Sequence, residues 1–559
     1  MNATEIYDLY QKGVDHHQRL NMYRECEKFH NFYSGNQWEG LKSGDEELPM
    51  INIIKPIGKY KIAMIAQNQM SIVYNSLNSK DPKLAEICKK LSRFAMAQWE
   101  KSKMDMLSWR VIKNAYITGD HYLYGFDERT PSQDSVVQDL RPRIKMRLVN
   151  KTNIYFADEQ NPNIDEQEYI IISERIPVKK VIEIAKKNNI PKEQIDLITS
   201  DEETETQIGE SKDKEVQSKL GKCTSLLFMR KTEAGIEFCR ATKYVIYVPK
   251  QLIPGLDVYP VVGMRWEEKI GSARGESGVK QLIPNQLEIN RTAARRAIVA
   301  KRFAFPALVY DEQKVTDPDA LNTAGAVVAV KGAVQNLDTA VKYLNPASMS
   351  TDAEKLQAEL IQLTRELEGA GDAATGQVDP TKASGESIKA ARDAAAVPLN
   401  EYIAAYKQFV EDVALMWYKM WVAYSPNGLE ITYTDNGQQI TEVIQAEVLK
   451  GLDIDIKIDV SPSDPYSKLS RDISLDRLFI RGSITFEEYV EALSEDSSVP
   501  KATLEAILKE RQSNVPPVVI EALKANPVLL QFVISQIQQQ GGDAGEMPKL
   551  PNRDVFGPR

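Results

Sequence analysis

The spacing of apolar residues predicts helices at the start of the chain and strands after them. Apolar side chains recur at three- and four-residue steps over 1–33, 57–74 and 82–118, the spacing of one buried helix face. From 122 to 174 the pattern changes to short β-rich runs separated by polar, proline or asparagine turns. After a short helix at 177–189, the strand pattern resumes in the segments CTSLLFMRK, IEFCRAT and YVIYVPK.

The second half of the chain predicts two helices on either side of a β-rich insert. The first helix, 281–302, carries small or apolar residues at helical spacing: Leu282, Ile289, Ala293, Ala297 and Ala300. The insert spans 303–345 and contains FPALVY, a run at 325–330 and a run at 340–344. The second helix, 352–368, is predicted to carry leucines on one face: Leu356, Leu360, Leu363 and Leu367.

The longest helical pattern spans 386–424, and Pro398 is expected to kink it because proline removes one backbone donor. Trp417, Met420, Trp421 and Tyr424 on this helix fit core packing better than a ligand site. Strands follow at 429–460 around a helix, IQAEVLKG. Residues 468–540 read as helical, with a capping box at Thr485 and Glu488.

Polar segments separate these elements. Residues 35–49 and 200–222 contain few apolar residues and are predicted to be surface loops. Residues 369–385 are rich in Gly, Ala, Asp and Pro, which predicts a flexible loop. Residues 541–559 are predicted to be a disordered tail. The fold class expected from the whole pattern is mixed α+β and helix-rich, in several domains.

Composition narrows the class of protein. The chain has 559 residues, 42% of them hydrophobic, and lacks an uncharged apolar run long enough to cross a membrane. Its four cysteines, Cys26, Cys88, Cys223 and Cys239, are far apart, so neither a disulfide framework nor a zinc cluster is expected. The net charge of -9 is unlike that of a conventional DNA-binding protein.

Three blocks of sequence, taken in order, resemble tailed-bacteriophage portal proteins of the P22-like and siphophage type. The opening FYSGNQW is followed by PMINIIKPI and YKIAMIAQNQM, and the second block is NAYITGD before HYLYGFDE. The third block, GESGVKQLIPNQLEIN, is similar to the entry into the stem helix of that family. The order of the blocks carries more weight than any one of them.

The resemblance implies a subunit with wing, stem, clip and crown, assembling into a dodecameric ring with a central channel. Mapped onto this chain, the parts have the following bounds: wing 1–270, first stem helix 271–302, clip 303–349, second stem helix 350–368, tunnel loop 369–385, long helix and return to the wing 386–467, crown 468–540 and tail 541–559.

The resemblance also implies function and partners. The ring would be the channel for genome packaging and ejection at the unique vertex of the capsid, with double-stranded DNA passing through it without sequence specificity. It would dock the large subunit of terminase, then the head–tail adaptor, and contact major capsid and scaffolding proteins. It would be located in the virion, and in the host cytoplasm during assembly. Neither a cofactor, a metal, a membrane nor an enzymatic activity is expected.

Candidate site residues fall in two groups. The stem candidates for the DNA channel are Arg291, Arg295, Arg296, Lys301 and Arg302. They are expected either to form salt bridges between neighbouring stems or to contact DNA or the packaging motor. The tunnel-loop candidates are Gly371, Asp372, Thr375, Gly376, Gln377, Asp379 and Lys382.

Motifs typical of enzymes are incomplete. Gly371 to Gly376 has the glycine spacing of a phosphate-binding loop, but Gln377 and Val378 follow instead of lysine and serine or threonine. Gly275–Gly278 lacks the full G-x-S-x-G pattern and favours a tight turn. His16, His17 and His30 are interpreted as part of a partly exposed helix face. Two rivals remain, a DNA-processing enzyme and a tail or collar ring of the virion.

Overall fold

The computed structural model of the chain contains helices and strands in a mixed α/β arrangement. The chain divides into two compact units, Met1–Ser461 and Pro462–Arg559. The structure describes residues 1–38, 48–77, 82–128, 142–202, 220–304, 307–317, 319, 329–331, 341–344, 351–371, 397–435, 438–452, 454–462, 475–493 and 503–504.

The N-terminal segment folds as two helices, α1 (Ala3–Arg19) and α2 (Met22–Ser34), so the prediction of one helix over 1–33 is wrong. The break is at Asn21, whose φ of 53° is left-handed and ends the helical hydrogen-bond pattern. Asparagine tolerates this conformation better than most residues, so the chain can turn there without glycine or proline.

The predicted helix over 57–74 is also corrected. Helix α3 (Ile54–Ala66) is followed by strand β1 (Asn68–Ser76). In β1 the buried residues are Met70, Ile72 and Tyr74, which alternate with more exposed ones at the period of a strand. The strand pairs with a segment far away in the chain, β16 (Ile454–Pro462), and this pairing outweighs the local helical pattern.

The predicted helix over 82–118 is two helices, α4 (Pro82–Lys101) and α5 (Met104–Thr118). The interruption lies at Lys103, where φ is 52°. Glu100 O accepts a hydrogen bond from Lys103 N at 3.0 Å, which closes the end of α4.

The predicted β region is confirmed. A five-stranded antiparallel sheet has the order β4-β5-β6-β7-β8 and a three-stranded sheet has the order β3-β2-β9. Their strands are β2 (Asp120–Asp127), β3 (Ile144–Asn150), β4 (Ile154–Phe156), β5 (Tyr169–Pro177), β6 (Lys222–Thr232), β7 (Gly235–Ala241), β8 (Ile246–Pro254) and β9 (Val261–Arg265). The short helix predicted at 177–189 is α6 (Val178–Lys187), and α7 (Lys192–Ile195) follows it.

The predicted order of helix, β insert and helix is confirmed. A short two-stranded pairing of β10 (Glu267–Glu268) with β11 (Gly275–Glu276) precedes helix α8 (Ile283–Ala304). In the insert, β12 (Ala307–Tyr310) pairs antiparallel with β13 (Val341–Leu344). Helix α9 (Thr351–Leu367) then returns alongside α8.

Helix α10 (Asn400–Tyr424) runs through the main core of the first unit. Pro398 lies in a 3-10 turn, Val397–Leu399, immediately before the helix. The rest of the predicted helix, 386–396, lies outside the described residues. The expected core role is confirmed for Trp417, Met420 and Trp421, which are fully buried, whereas Tyr424 is half-buried and packs against the same core.

After α10 the chain forms the hairpin β14 (Leu429–Asp435) and β15 (Gln438–Ile444), then α11 (Ala446–Gly451) and β16. In the second unit the described helix α12 (Phe486–Ala492) begins at the predicted capping box, where both the Thr485 and Glu488 bonds are present. The parts of 468–540 other than 475–493 and 503–504, the tail and most of the loop at 200–222 lie outside the described residues.

Candidate functional site

The candidate site is the pair of helices α8 and α9 together with the turn from which α8 starts. Leu282, just before α8, and Ile289, Ala293 and Ala294 within it are buried, whereas Ala297 and Ala300 are exposed. The predicted face of small residues is therefore buried as far as Ala294 and exposed beyond it. The outer half of α8 carries exposed Ile298 and Phe303.

The two helices contact each other through polar side chains. Asn285 Nδ2 donates to Thr364 Oγ1 at 3.0 Å, and Arg296 Nη1 donates to Gln357 Oε1 at 3.1 Å. Gln357 and Thr364 are buried. Hydrogen bonds of this kind fix the register of two helices, because each buried partner needs the other to be satisfied.

Of the predicted leucine face of α9, Leu360 is half-buried, and the other three leucines are exposed. Leu356, Leu363 and Leu367 are 48%, 54% and 82% exposed. They recur at four- and seven-residue steps and so lie on one side of the helix. A row of large apolar side chains left in water on a helix is typical of a surface that is covered on assembly.

Two of the stem arginines are exposed and form ion pairs with a glutamate of their own helix. Arg291 and Arg295 are 57% and 64% exposed and reach Glu288 at 3.6 Å and 3.3 Å. Exposed pairs of this kind contribute little to stability, so both guanidinium groups remain available to an anion. Arg296 reaches α9, as described above, and the side chain of Arg302 lies outside the described residues. Lys301 is exposed.

Two amides of α8 fasten it to the N-terminal segment. Gln286 accepts from Ile53 N at 2.9 Å and donates to Ile51 O at 2.7 Å. Asn290 accepts from Ile51 N at 3.2 Å and donates to Gln37 Oε1 at 2.5 Å. Gln37, Ile51 and Ile53 lie in the first block of the resemblance, and Gln286 and Asn290 lie in the third. These two blocks therefore meet in space.

The turn before α8 is packed directly against the end of α5. Ser277 Oγ is buried and donates to Ile117 O at 2.6 Å, and Gly278 N donates to Tyr116 O at 3.1 Å. A Cβ on Gly275 would lie 2.3 Å from Gly119 O, so only glycine fits there. The serine hydroxyl is occupied by backbone carbonyls, which supports the tight-turn interpretation over a hydrolase nucleophile.

A buried ionic cluster surrounds this turn. Lys151 Nζ lies 2.5 Å from Asp120 Oδ1 and also donates to Gly275 O at 2.9 Å. Arg274 lies 3.5 Å from Asp120 and bonds both oxygens of Glu159 at 2.7 Å. Asp120 is fully buried, and its negative charge is compensated by Lys151 and Arg274. Residues from three distant segments are thereby joined around the turn that precedes α8.

His17 belongs to the same cluster, which corrects its assignment to a partly exposed face. Its side chain is fully buried, and Nε2 lies 3.1 Å from Glu159 Oε1. Burial lowers the pKa of His17, partly offset by the hydrogen bond to Glu159. Burial alone would raise the pKa of Glu159, but the charge and hydrogen bonds of Arg274 outweigh it and hold that pKa below its ordinary value.

This cluster was not predicted from the sequence. Asp120 ends the motif NAYITGD, and Arg274 immediately precedes the block GESGVKQLIPNQLEIN, which is the only sequence signal for these two residues. Lys151, Glu159 and His17 carry no comparable signal, because nothing in their local sequence separates a buried charge from a solvated one.

We expect the fold to lose stability in mild acid through His121, next to Asp120. Burial lowers the pKa of His121 to about 4. Below a pH of about 6.5 the unfolded chain binds a proton that the folded chain excludes, so the free energy of unfolding falls as pH decreases. The His121 contribution is about 2 kcal/mol between pH 7 and about pH 5.

Denaturant titrations of the wild type and His121→Gln at both pH values measure this contribution. Glutamine can keep a hydrogen bond to Asn114, whose Nδ2 lies 3.3 Å from His121 Nε2. The variant should lose less stability on acidification than the wild type. Equal losses in the two proteins would contradict the assignment.

Of the tunnel-loop candidates, Gly371 lies at the end of the described segment after α9. Asp372, Thr375, Gly376, Gln377, Asp379 and Lys382 lie outside the described residues. Within the described ranges, His, Cys, Asp and Glu side chains do not gather in threes as a metal site would require. A search of the same ranges for a helix long and apolar enough to cross a membrane finds none.

Helices α8 and α9, with their exposed leucines and arginines, belong to the mixed α/β first unit. The family model of the phage P22-like portal protein matches residues 8–468, and the chain belongs to that family. Its role is that of a phage portal, a structural component of the capsid vertex that assembles as an oligomeric ring, and a DNA channel used in genome packaging is consistent with the family. A search of curated proteins finds no match.

Proposed function

We propose that twelve copies of this chain form a ring whose central channel carries the genome into and out of the capsid. In this assignment α8 and α9 are the stem, and the β12–β13 hairpin belongs to the clip. Residues 1–270 and 386–467 form the wing, and 468–540 form the crown. The main support for the proposal is that the family model of the phage P22-like portal protein matches residues 8–468.

The uncovered leucine face of α9 supports a ring. A closed ring of identical subunits needs two different patches that fit each other, because every subunit contacts its neighbours head to tail. The face formed by Leu356, Leu363 and Leu367 supplies one patch. The exposed apolar side chains of α8, Ile298 and Phe303, are the proposed counterpart on the neighbour.

We assign Arg291 and Arg295 to the wall of the channel. Twelve-fold repetition turns each arginine into a ring of charge that holds DNA phosphates weakly and in a salt-dependent way. The variant Arg291→Gln/Arg295→Gln should assemble normally but package DNA at least about threefold less efficiently at low salt. Packaged DNA per particle in an in vitro packaging reaction measures the effect.

Lys179→Gln/Lys180→Gln is the matched control, because it removes two exposed cations from α6 instead. The control should package like the wild type. Equal packaging by both variants would favour the alternative, that the arginines serve only salt bridges between or within stems.

The segment 369–385 is proposed as the tunnel loop, acting as a valve against backsliding of DNA. Its content of glycine, alanine and aspartate motivates the proposal. Deleting 371–380 should reduce the retention of packaged DNA while leaving rings intact, as measured by the nuclease-protected DNA in filled heads. Unchanged retention of DNA would contradict the proposal that this loop acts as a valve.

Partners follow from this role. The clip end is proposed to dock the large subunit of terminase during packaging and the head–tail adaptor afterwards. The wing is proposed to contact the major capsid and scaffolding proteins in the host cytoplasm during assembly. Pull-down of each partner by purified rings, with and without the 303–349 insert, tests the assignment of the clip end.

A further inference from the structure

A groove lies on the surface of the β region, between α6 and α7. It has a volume of about 640 Å³. Its lining is mostly branched aliphatic, with two lysines and one carboxylate: Ile182, Ile190, Ile195, Ile198, Lys186, Lys192 and Asp196. The volume is in the range of sites that hold several apolar side chains. Neither the ring nor the channel described above uses this surface.

The groove is preformed by the way α6 ends. Asn189 has a left-handed φ of 56°, and Ile190 N donates to Ala185 O while Asn189 N donates to Lys186 O, both at 3.1 Å. This is the hydrogen-bond pattern of a Schellman motif. Asn188 Nδ2 also donates to Tyr247 O at 3.0 Å, which fastens the turn to the sheet. The position of Ile190 is therefore set before any partner arrives.

The segment that forms the groove is basic in an acidic chain. The segment 178–198 holds five lysines and three acidic residues, a net charge of 5 - 3 = +2, whereas the whole chain carries -9. Lys186 and Lys192, the two lysines in the lining, are exposed. Neither has a carboxylate within ion-pair distance among the described residues. Both ammonium groups are thus available to a negatively charged partner.

We propose that this groove docks an acidic amphipathic segment of another protein. Leucine or isoleucine side chains of the segment enter between the four isoleucines, and its carboxylates reach Lys186 and Lys192. The apolar floor of the groove matches the apolar face of such a segment, and the lysines at its rim match the carboxylates. Amphipathic helices bind apolar grooves of other proteins in this way. A nucleic acid backbone would pair with the lysines but has nothing to place on the isoleucines. The proposal does not depend on ring formation.

Fluorescence anisotropy with the purified full-length chain tests the proposal. The probe is a labelled synthetic helix with leucines at i, i+3, i+4 and i+7 and glutamates elsewhere. A second probe has the same composition with the leucines scrambled, and a third is a labelled DNA duplex. We expect saturable binding of the first probe alone, weakened by added salt.

Two charge-reversal variants locate the binding. Lys186→Glu/Lys192→Glu should weaken the first probe at least about tenfold, because it reverses both charges in the lining. Lys179→Glu/Lys180→Glu makes the same charge change on exposed positions of α6 outside the lining and should change binding much less. Circular dichroism of both variants checks that the fold is kept.

Several results would overturn the proposal. One is the absence of saturable binding of the first probe at millimolar concentration. Another is equal binding of the scrambled peptide, which would show attraction by charge alone. Tighter binding of the DNA duplex, lost in Lys186→Glu/Lys192→Glu, would assign the surface to nucleic acid instead. Equal weakening by the two charge-reversal variants would place the binding outside the groove.

Discussion

Replacing Arg274 by methionine is expected to lower the free energy of unfolding by about 3–5 kcal/mol. Arg274 is 4% exposed and bonds Glu159 twice while lying 3.5 Å from Asp120. Methionine fills much of the volume but leaves Glu159, whose side chain is only 15% exposed, without its strongest partner. The backbone carbonyls of Lys151 and Ile154 also lose their donors, at 3.2 Å and 2.7 Å. Chemical denaturation monitored by tryptophan fluorescence measures the loss.

The nearby pair of Lys280 and Glu276 provides the control. Both side chains are about half exposed, so Lys280→Met should change stability by no more than about 0.5 kcal/mol. Adding Glu159→Gln to Arg274→Met should recover part of the loss, because the uncompensated charge is removed. If Arg274→Met were as stable as the wild type, the ionic cluster would not hold the start of α8 in place.

Glutamate at Leu356 and Leu363 is expected to abolish the ring while leaving the subunit folded. Both side chains are about half exposed in the single chain, so the fold loses little when they become polar. In the proposed ring they are buried against the neighbouring subunit, where covering the exposed half of each leucine contributes about 0.8–1.5 kcal/mol at every interface. The burial of unpaired carboxylates adds a further cost. Size-exclusion chromatography with light scattering should show a shift to monomer.

Ala358→Glu/Gln362→Glu is the matched control on the same helix. Both positions are exposed and point away from the leucine face, at helical steps that place them on the other side of α9. This variant adds the same negative charge and should still assemble. Assembly by the leucine variant would show that α9 faces something other than a neighbouring subunit.

The main elements were predictable where the periodicity was long and regular. The strands of the five-stranded sheet, the helices α8 and α9 and the buried tryptophans of α10 all follow from local pattern. The boundaries were missed where a single residue changes the path of the chain. Asn21 and Lys103 each adopt a left-handed φ within an otherwise helical pattern, and neither is glycine or proline. Sequence rules that look for breakers have no signal at such positions.

Long-range contacts account for the other corrections. Strand β1 exists because β16, nearly four hundred residues later, pairs with it. The ionic cluster forms because His17, Lys151 and Arg274 lie close together in the fold. The local sequence around each residue does not predict these contacts. The leucine face of α9 was predicted, but not that it would remain uncovered, because periodicity indicates which residues share a face and not what covers that face.

The most direct test of the account is the native mass of the purified chain together with negative-stain images of the same sample. The account predicts a ring with a central hole and a mass of about 756 kDa, twelve times the chain mass of 63.0 kDa. A ring of eleven or thirteen subunits would still support a portal and would change only the stoichiometry. A stable dimer with metal-dependent nuclease activity would contradict it.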